Sequence, residues 1–143
     1  MITTTNTNSA ESAEQFIGLH EYRNRQELKS FLGVDPVRTE WCAAFVNATL
    51  EMDNTPSLNT IQHKYPLTAR AFLDWGVAVD KDDIQQGDLV IFPRGSESWQ
   101  GHVGFYVGST DNYWIILGGN QDNTVSYKLF KPKRAIGIRR WVE

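Results

Sequence analysis

The sequence predicts a single α+β domain in which N-terminal helices pack on a mostly antiparallel sheet of about five to six strands. A chain of 143 residues is long enough to form one hydrophobic core and too short for two. Apolar residues of the first half recur at helical spacing, whereas the second half contains short β-branched and aromatic runs separated by turn residues. Helices followed by closely spaced strands are typical of an α+β domain.

The first half of the chain predicts a tail and then helices. Residues 1–9 are polar and carry no periodic apolar pattern, so we expect a flexible tail there and one domain over residues 10–143. Apolar residues share one helical face in four segments, namely 10–18, 25–32, 39–52 and 68–75. Gly33 and Gly76 follow the second and fourth segments, as expected at helix C-termini.

Strands are predicted only in the second half. Five short runs rich in β-branched and aromatic residues are bounded by Gly, Pro, Asp and Asn, namely 89–92, 103–107, 113–117, 125–130 and 136–141. We find no repeat and no linker that would divide the chain.

Composition excludes several classes of function. The 14 basic and 17 acidic residues give a net charge of −3, so a nucleic-acid partner is not expected. No apolar run has the length of a membrane span, and the N-terminus does not resemble a secretory signal, so we expect synthesis in the cytoplasm and no membrane insertion. A single cysteine forms no internal disulfide and leaves its thiol free.

That cysteine, Cys42, lies in the stretch TEWCAAFVNATLEM, residues 39–52. Trp41, Phe45, Ala48 and Met52 recur at helical spacing, and Thr39 is the predicted cap. Cys42 then lies in the first helical turn, where free N–H groups and the helix dipole favour a thiolate. Taken alone, the stretch fits a buried structural cysteine better than a catalytic one.

A thiol nucleophile needs a base, and His102 is the best candidate among the three histidines. It begins the strand GHVGFYVG, where alternation places His102, Gly104 and Tyr106 on one face. If the start of the cysteine helix lies across that face, Cys42 is within reach of the imidazole. The alternative for His102 is a solvent-exposed histidine at a strand end. His20, which follows a helix, and His63, in a polar loop, are also expected to be exposed to solvent.

The segment LGGNQ ends the next strand and supplies a possible third group. In a hairpin, Asn120 would return beside His102, where its carboxamide could accept a hydrogen bond from one ring nitrogen. The alternative is a turn residue, because GGNQDN is also a good turn sequence.

Four motifs in order, WCAAFVN, GDLVIF, GHVGFYVG and LGGNQ, resemble those of the NlpC/P60 and CHAP superfamily of papain-like cysteine hydrolases. They are most similar to the motifs of its small phage and bacterial branch. The resemblance covers nearly the whole chain and implies a papain-like NlpC/P60 (CHAP) fold. It also implies cleavage of amide bonds in bacterial peptidoglycan.

The resemblance implies a role for each matching residue. Cys42 would be the nucleophile, His102 the base and Asn120 the orienting residue, with the Cys42 backbone N–H in the oxyanion hole. Glu21 falls where this branch tends to carry an acid. A substrate wall could be formed by three further residues, namely Trp41, Trp99 and Gln100.

No cofactor or metal is expected. The histidines and Cys42 lack the short spacing of a zinc site, and Asp80, Asp82 and Asp83 lack the pattern of an EF-hand calcium loop. Permuted lipid-acting relatives place the histidine strand first, whereas here Cys42 precedes His102, which favours the peptidase order.

The expected partner is bacterial peptidoglycan, and the expected enzyme is a monomeric phage endolysin, either an endopeptidase or an N-acetylmuramoyl-L-alanine amidase. It would be made in the host cytoplasm and reach the wall after holin-dependent release. Two alternatives remain. One is a secretion-delivered wall toxin with an immunity protein, and the other is a non-catalytic wall-binding module.

Overall fold

The computed structural model describes residues 9–143, which form the predicted α+β architecture. The predicted tail lies outside the described residues except for Ser9, which begins the first helix. The helices are α1 (Ser9–Glu14), α2 (Arg25–Leu32) and α3 (Cys42–Met52). The strands are β1 (Val77–Ala78), β2 (Leu89–Pro93), β3 (Gly101–Ser109), β4 (Trp114–Gln121), β5 (Thr124–Phe130) and β6 (Gly137–Arg140). Three short 3-10 segments connect them, namely Ala69–Asp74, Lys81–Asp83 and Pro132–Arg134.

The strands form one sheet in the order β1-β6-β2-β3-β4-β5, with every neighbouring pair antiparallel. Five of the six were predicted from their apolar runs. β1 was missed because its two residues are exposed and too few to show alternation. The helix predicted over residues 68–75 is a 3-10 turn over Ala69–Asp74.

Helix α3 packs on one face of this sheet and is the centre of the larger core. Its residues 42–47 are all buried, because the helix lies between the sheet and the N-terminal helices. Phe45 is contacted edge-on by Phe16 and Phe31, whose rings stack at 4.2 Å. The predicted inward position of Met52 is wrong, since that side chain is 42% exposed.

The start of α3 also differs from its prediction. Trp41 rather than Thr39 occupies the N-cap position, and no side chain there bonds to the first-turn N–H groups. The helix therefore begins at Cys42 itself, with backbone donors left for another group.

A buried ion pair joins β2 to β6. Asp88, which is fully buried, accepts hydrogen bonds from Arg140 Nε at 2.7 Å and Arg140 Nη2 at 2.8 Å. Asp88 also accepts the backbone N–H of Gln85. The two-pronged geometry satisfies both carboxylate oxygens, which burial requires.

We predict that Arg140→Leu lowers the free energy of unfolding by about 3–5 kcal/mol, because it leaves the Asp88 charge buried without its partner. Urea denaturation followed by circular dichroism measures the change. Asp88→Asn combined with Arg140→Leu removes both charges and should recover part of the loss. If Arg140→Leu alone were as stable as wild type, the ion pair between Arg140 and Asp88 would contribute nothing to the free energy of unfolding.

Candidate active site

The sulfur of Cys42 lies against the backbone at the start of β3. Cys42 Sγ is 3.9 Å from the carbonyl oxygen of Gly101. The side chain is only 3% exposed, yet it lines a cavity of about 210 Å³ together with Glu40, Arg94 and Trp99. The sulfur therefore lies beside the backbone of the residue that precedes His102, and it borders a cavity.

The start of β3 is not paired with β4, which leaves an opening between the two strands. The backbone groups of Tyr106 bond to Asp88 and Gly87 on the β2 side. Since alternate residues of a strand bond to opposite sides, Gly101 and Val103 present their groups toward β4. The regular β3–β4 pairing ends at Phe105 opposite Leu117, so the backbone groups at the start of β3 face the opening. The carbonyl oxygen of Gly101, 3.9 Å from Cys42 Sγ, is one of these groups.

His102 lies on the other face of the sheet. Its ring stacks on Phe130 with centroids 5.5 Å apart, and Phe92 lies 6.5 Å away. The prediction that α3 crosses the same face as His102 is wrong, because Val103 and Phe105 are the β3 residues that pack in the core around α3, and His102 points the other way. Gly119 of β4 faces the helix. A Cβ at Gly119 would be 2.8 Å from Phe45 Cβ, so only glycine allows this close packing.

The imidazole nevertheless leans toward β4. A Cβ at Gly118 would lie 3.3 Å from His102 Nε2 and 2.8 Å from Gln121 Oε1. Cys42 Sγ lies beside the backbone of Gly101, the residue before His102, and the two side chains line separate cavities that share Arg94.

Gln121 holds the ring and fixes its tautomer. Its Oε1 is 2.8 Å from His102 Nε2, while its amide nitrogen donates to the carbonyls of Ile116 at 3.2 Å and Ser126 at 2.6 Å. An amide NH₂ must face those carbonyls, so Oε1 must face the ring, and His102 Nε2 carries the proton. Nδ1 then has a free lone pair. It is buried and has no hydrogen-bond partner among the described residues.

The prediction that Asn120 orients His102 is therefore wrong. Asn120 adopts a left-handed conformation with φ of 56°, and its Nδ2 donates to Glu40 Oε1 at 3.3 Å. The register shifts between Gly118 and Gln121. This bulge breaks the alternation that a regular hairpin would have, and it turns the next side chain, Gln121, inward. The Q of LGGNQ was the signal, but alternation alone selects its neighbour.

Arg94, which the sequence analysis did not single out, connects the two halves of the site. It lines the Cys42 cavity and also the cavity of about 500 Å³ that contains His102. Its Nη1 is 3.5 Å from Glu40 Oε1, and its Nη2 donates to the carbonyl of Asn120 at 3.3 Å.

Electrostatics leaves both reactive groups neutral at pH 7. Burial lowers the pKa of His102 to about 4, with Gln121 opposing that shift and the charges of Arg94 and Lys128 adding to it. Burial raises the pKa of Cys42, and the N–H groups of Val103 and Ala43 offset this only in part. Burial therefore opposes the easy ionisation that the helix N-terminus favours at Cys42.

The residues predicted to bind substrate divide into two pairs. Trp41 is fully buried and donates from its indole N–H to Glu21 Oε1 at 2.9 Å, and Glu21 is itself 7% exposed. This pair is structural and anchors the residue before Cys42. Trp99, 64% exposed, and Gln100 line the Cys42 cavity, and their binding role stays a prediction.

Residues 9–143 contain no group of three or more His, Cys, Asp or Glu side chains placed to hold a metal ion. No helix in this part of the chain is long and apolar enough to cross a membrane.

A cysteine beginning a buried helix and a histidine on the antiparallel sheet beside it define the papain-like class of fold. Within that class the chain has the NlpC/P60 fold. It is similar to NlpC1 from Trichomonas vaginalis, with a TM-score of 0.60 and 21% identity over 100% of this chain and 47% of that protein. It is also similar to an NlpC/P60 family protein from Bacillus cereus, with a TM-score of 0.57 and 19% identity over 99% of this chain and 42% of that protein.

A third solved structure, from Staphylococcus aureus and described as similar to lipoprotein, NLP/P60 family, gives a TM-score of 0.60 and 16% identity over 99% of this chain and 44% of that protein. The chain thus spans less than half the length of these proteins. No protein-family model matches the sequence, and no curated protein matches it either. The likeness therefore concerns the fold.

We predict that stability falls between about pH 6.5 and pH 4. Over this window the unfolded protein takes up a proton on His102 that the folded protein, with its pKa lowered to about 4, does not bind. The loss amounts to about 3 kcal/mol across the window. Urea denaturation at intervals of half a pH unit measures it. His102→Phe keeps a ring on Phe130 and should flatten this slope, with His20→Phe as the matched control. An unchanged slope in His102→Phe would contradict the assignment.

Proposed function

We propose that the protein is a cysteine hydrolase that cleaves amide bonds in the peptides of bacterial peptidoglycan. Cys42 is the nucleophile, His102 the base and Gln121 the orienting residue. The observation that carries the proposal is the Gln121 amide, which fixes the proton on His102 Nε2 and leaves the Nδ1 lone pair free, while Cys42 Sγ lies beside the backbone of Gly101, the preceding residue.

Acylation begins when the sulfur attacks the substrate carbonyl carbon. The thiol proton passes to His102 Nδ1 as the carbon–sulfur bond forms, because neither group is charged beforehand. The uncapped Cys42 N–H at the start of α3 donates to the developing oxyanion. The carbon–nitrogen bond then breaks, and His102 gives its proton to the leaving amine, which leaves a thioester on Cys42.

Deacylation returns the enzyme to its first state. Water attacks the thioester carbon and gives a proton to His102 Nδ1, and that proton returns to the sulfur as the carbon–sulfur bond breaks. Gln121 Oε1 accepts the hydrogen bond from Nε2–H throughout and stabilises the imidazolium that forms in each half-reaction.

The support for peptidoglycan as substrate is the NlpC/P60 fold together with this thiol site. We rank a phage endolysin first, made in the host cytoplasm and released to the wall, acting as endopeptidase or N-acetylmuramoyl-L-alanine amidase. A secretion-delivered toxin would use the same chemistry and need an immunity protein. Trp99, exposed beside the cavity, is the feature that favours a wall-binding module.

Digestion of purified peptidoglycan, followed by mass spectrometry of the soluble fragments, tests the proposal. We expect wild-type protein to release fragments, Cys42→Ala to release none, and His102→Ala to be slower by ~10²–10⁴-fold. New free lactyl groups on muramic acid would indicate an amidase, and shortened stem peptides an endopeptidase. Both variants must retain the circular dichroism of wild type. Fragment release by Cys42→Ala would refute the thiol mechanism. Binding of the wild-type protein to peptidoglycan without any release of fragments would favour the non-catalytic wall-binding module.

A second prediction separates Gln121 from Asn120. Gln121→Met keeps the side-chain length but removes the amide, so the ring loses its fixed tautomer and kcat should fall by ~10²-fold. Asn120→Gly tolerates the left-handed backbone of that position and should retain most of the activity. Turnover of wall fragments over a pH series measures both. If Asn120→Gly is as damaged as Gln121→Met, the orienting role belongs to Asn120.

A further inference from the structure

We infer that the cavity containing His102 binds a free carboxylate on the amine-side part of the substrate, through Lys131 and Arg134. The inference rests on the proposed function and specifies which wall peptides the site accepts. The amine-side part is the fragment that leaves with the new amino group.

The chemistry assigns each half of the substrate to one cavity. His102 gives its proton to the leaving amine, so the amine-side fragment lies on the His102 side of the opening. The acyl part stays bonded to Cys42, which lines the other cavity. Arg94 stands between the two because it lines both.

The His102 cavity is strongly basic. Four cationic side chains line it, namely Arg94, Lys128, Lys131 and Arg134, and no Asp or Glu is among its lining residues in the described part of the chain. The whole protein carries a net charge of −3, so this cavity reverses the overall sign. Basic lining concentrated beside the reacting groups favours an anionic ligand.

Two of these cations are still available to a ligand. Arg94 has Glu40 at 3.5 Å, and Lys128 has Asp122 at 3.6 Å. Within residues 9–143, no carboxylate lies at ion-pair distance from Lys131 or Arg134. The exposed lysine and arginine would therefore gain a partner when a carboxylate enters.

The fold holds these side chains at the cavity. They belong to the end of β5 and the 3-10 turn Pro132–Arg134, and this connection is tied to β2 at two points. Arg134 Nη2 donates to the carbonyl of Pro93 at 3.4 Å, and the N–H of Ile136 donates to the carbonyl of Ile91 at 2.8 Å. Lys133, in the same turn and also exposed, does not line the cavity and offers a matched control.

A peptide carboxylate is the anion that fits the reaction. The amine-side fragment of a wall peptide carries carboxyl groups, and a cavity of about 500 Å³ accommodates a fragment of a few residues. A primary amide at the same position would be neutral and would lose the attraction. The site should therefore distinguish free acids from amidated peptides.

The test uses two synthetic stem peptides that contain the bond cut in purified walls. Their amine-side residues carry either free carboxylates or primary amides. We expect wild type to show a KM about fivefold lower for the acid, with similar kcat, since an exposed ion pair contributes at most about a factor of five. Lys131→Gln and Arg134→Gln should each lose most of this preference, and Lys133→Gln should keep it. Added salt should weaken it in wild type.

Calorimetry with Cys42→Ala gives a readout that needs no turnover. The amine-side fragment in its acid form should bind more tightly than its amide form, and Lys131→Gln in that background should remove the difference. Equal cleavage of both peptides by wild type, or equal binding of both fragments, would overturn the inference while Cys42-dependent cleavage upheld the hydrolase. If neither the peptides nor purified walls were cut, the proposed function itself would fail, and this inference with it.

Discussion

The hydrogen bond between Gln121 and His102 is the interaction on which the site depends. The amide cannot turn over, because its nitrogen already donates to the carbonyls of Ile116 and Ser126. Backbone groups of β4 and β5 therefore decide which nitrogen of the ring holds the proton. That choice leaves only Nδ1 with a lone pair, which in the proposed mechanism sets the direction of proton transfer. A sheet that shifted by one residue would lose this arrangement.

The irregular end of β4 is therefore part of the site. The left-handed Asn120 and the register shift against β5 between Gly118 and Gln121 turn the Gln121 side chain toward His102. Gly118 and Gly119 make this possible, because a Cβ on Gly118 would crowd Gln121 and one on Gly119 would strike Phe45. These residues thus allow Gln121 to fold back onto the ring.

Sequence patterns predicted what depends on periodicity. Helix α2, five strands and the position of Cys42 at the start of α3 all follow from local spacing and turn residues. The patterns failed where side-chain alternation is interrupted. Asn120 was chosen over Gln121 because a bulge cannot be read from alternating residues, and α3 was placed on the wrong face because glycines on both faces look alike in sequence. Arg94 belongs to none of the sequence motifs, and only the structure shows that it lines both the Cys42 cavity and the His102 cavity.

The neutral state of Cys42 and His102 follows from a comparison of two effects. A helix N-terminus stabilises a nearby anion by about 0.3–1 kcal/mol at an exposed position, whereas full burial of an ionisable group can shift its pKa by several units, each unit being about 1.4 kcal/mol. At Cys42, which is 3% exposed, burial is the largest influence on the pKa of the thiol and raises it. If Cys42 is the proposed nucleophile, charge separation is unfavourable until a carbonyl carbon takes up the electron pair of the sulfur. A substrate would then activate the thiol that attacks it, and burial would restrain its reaction with other electrophiles.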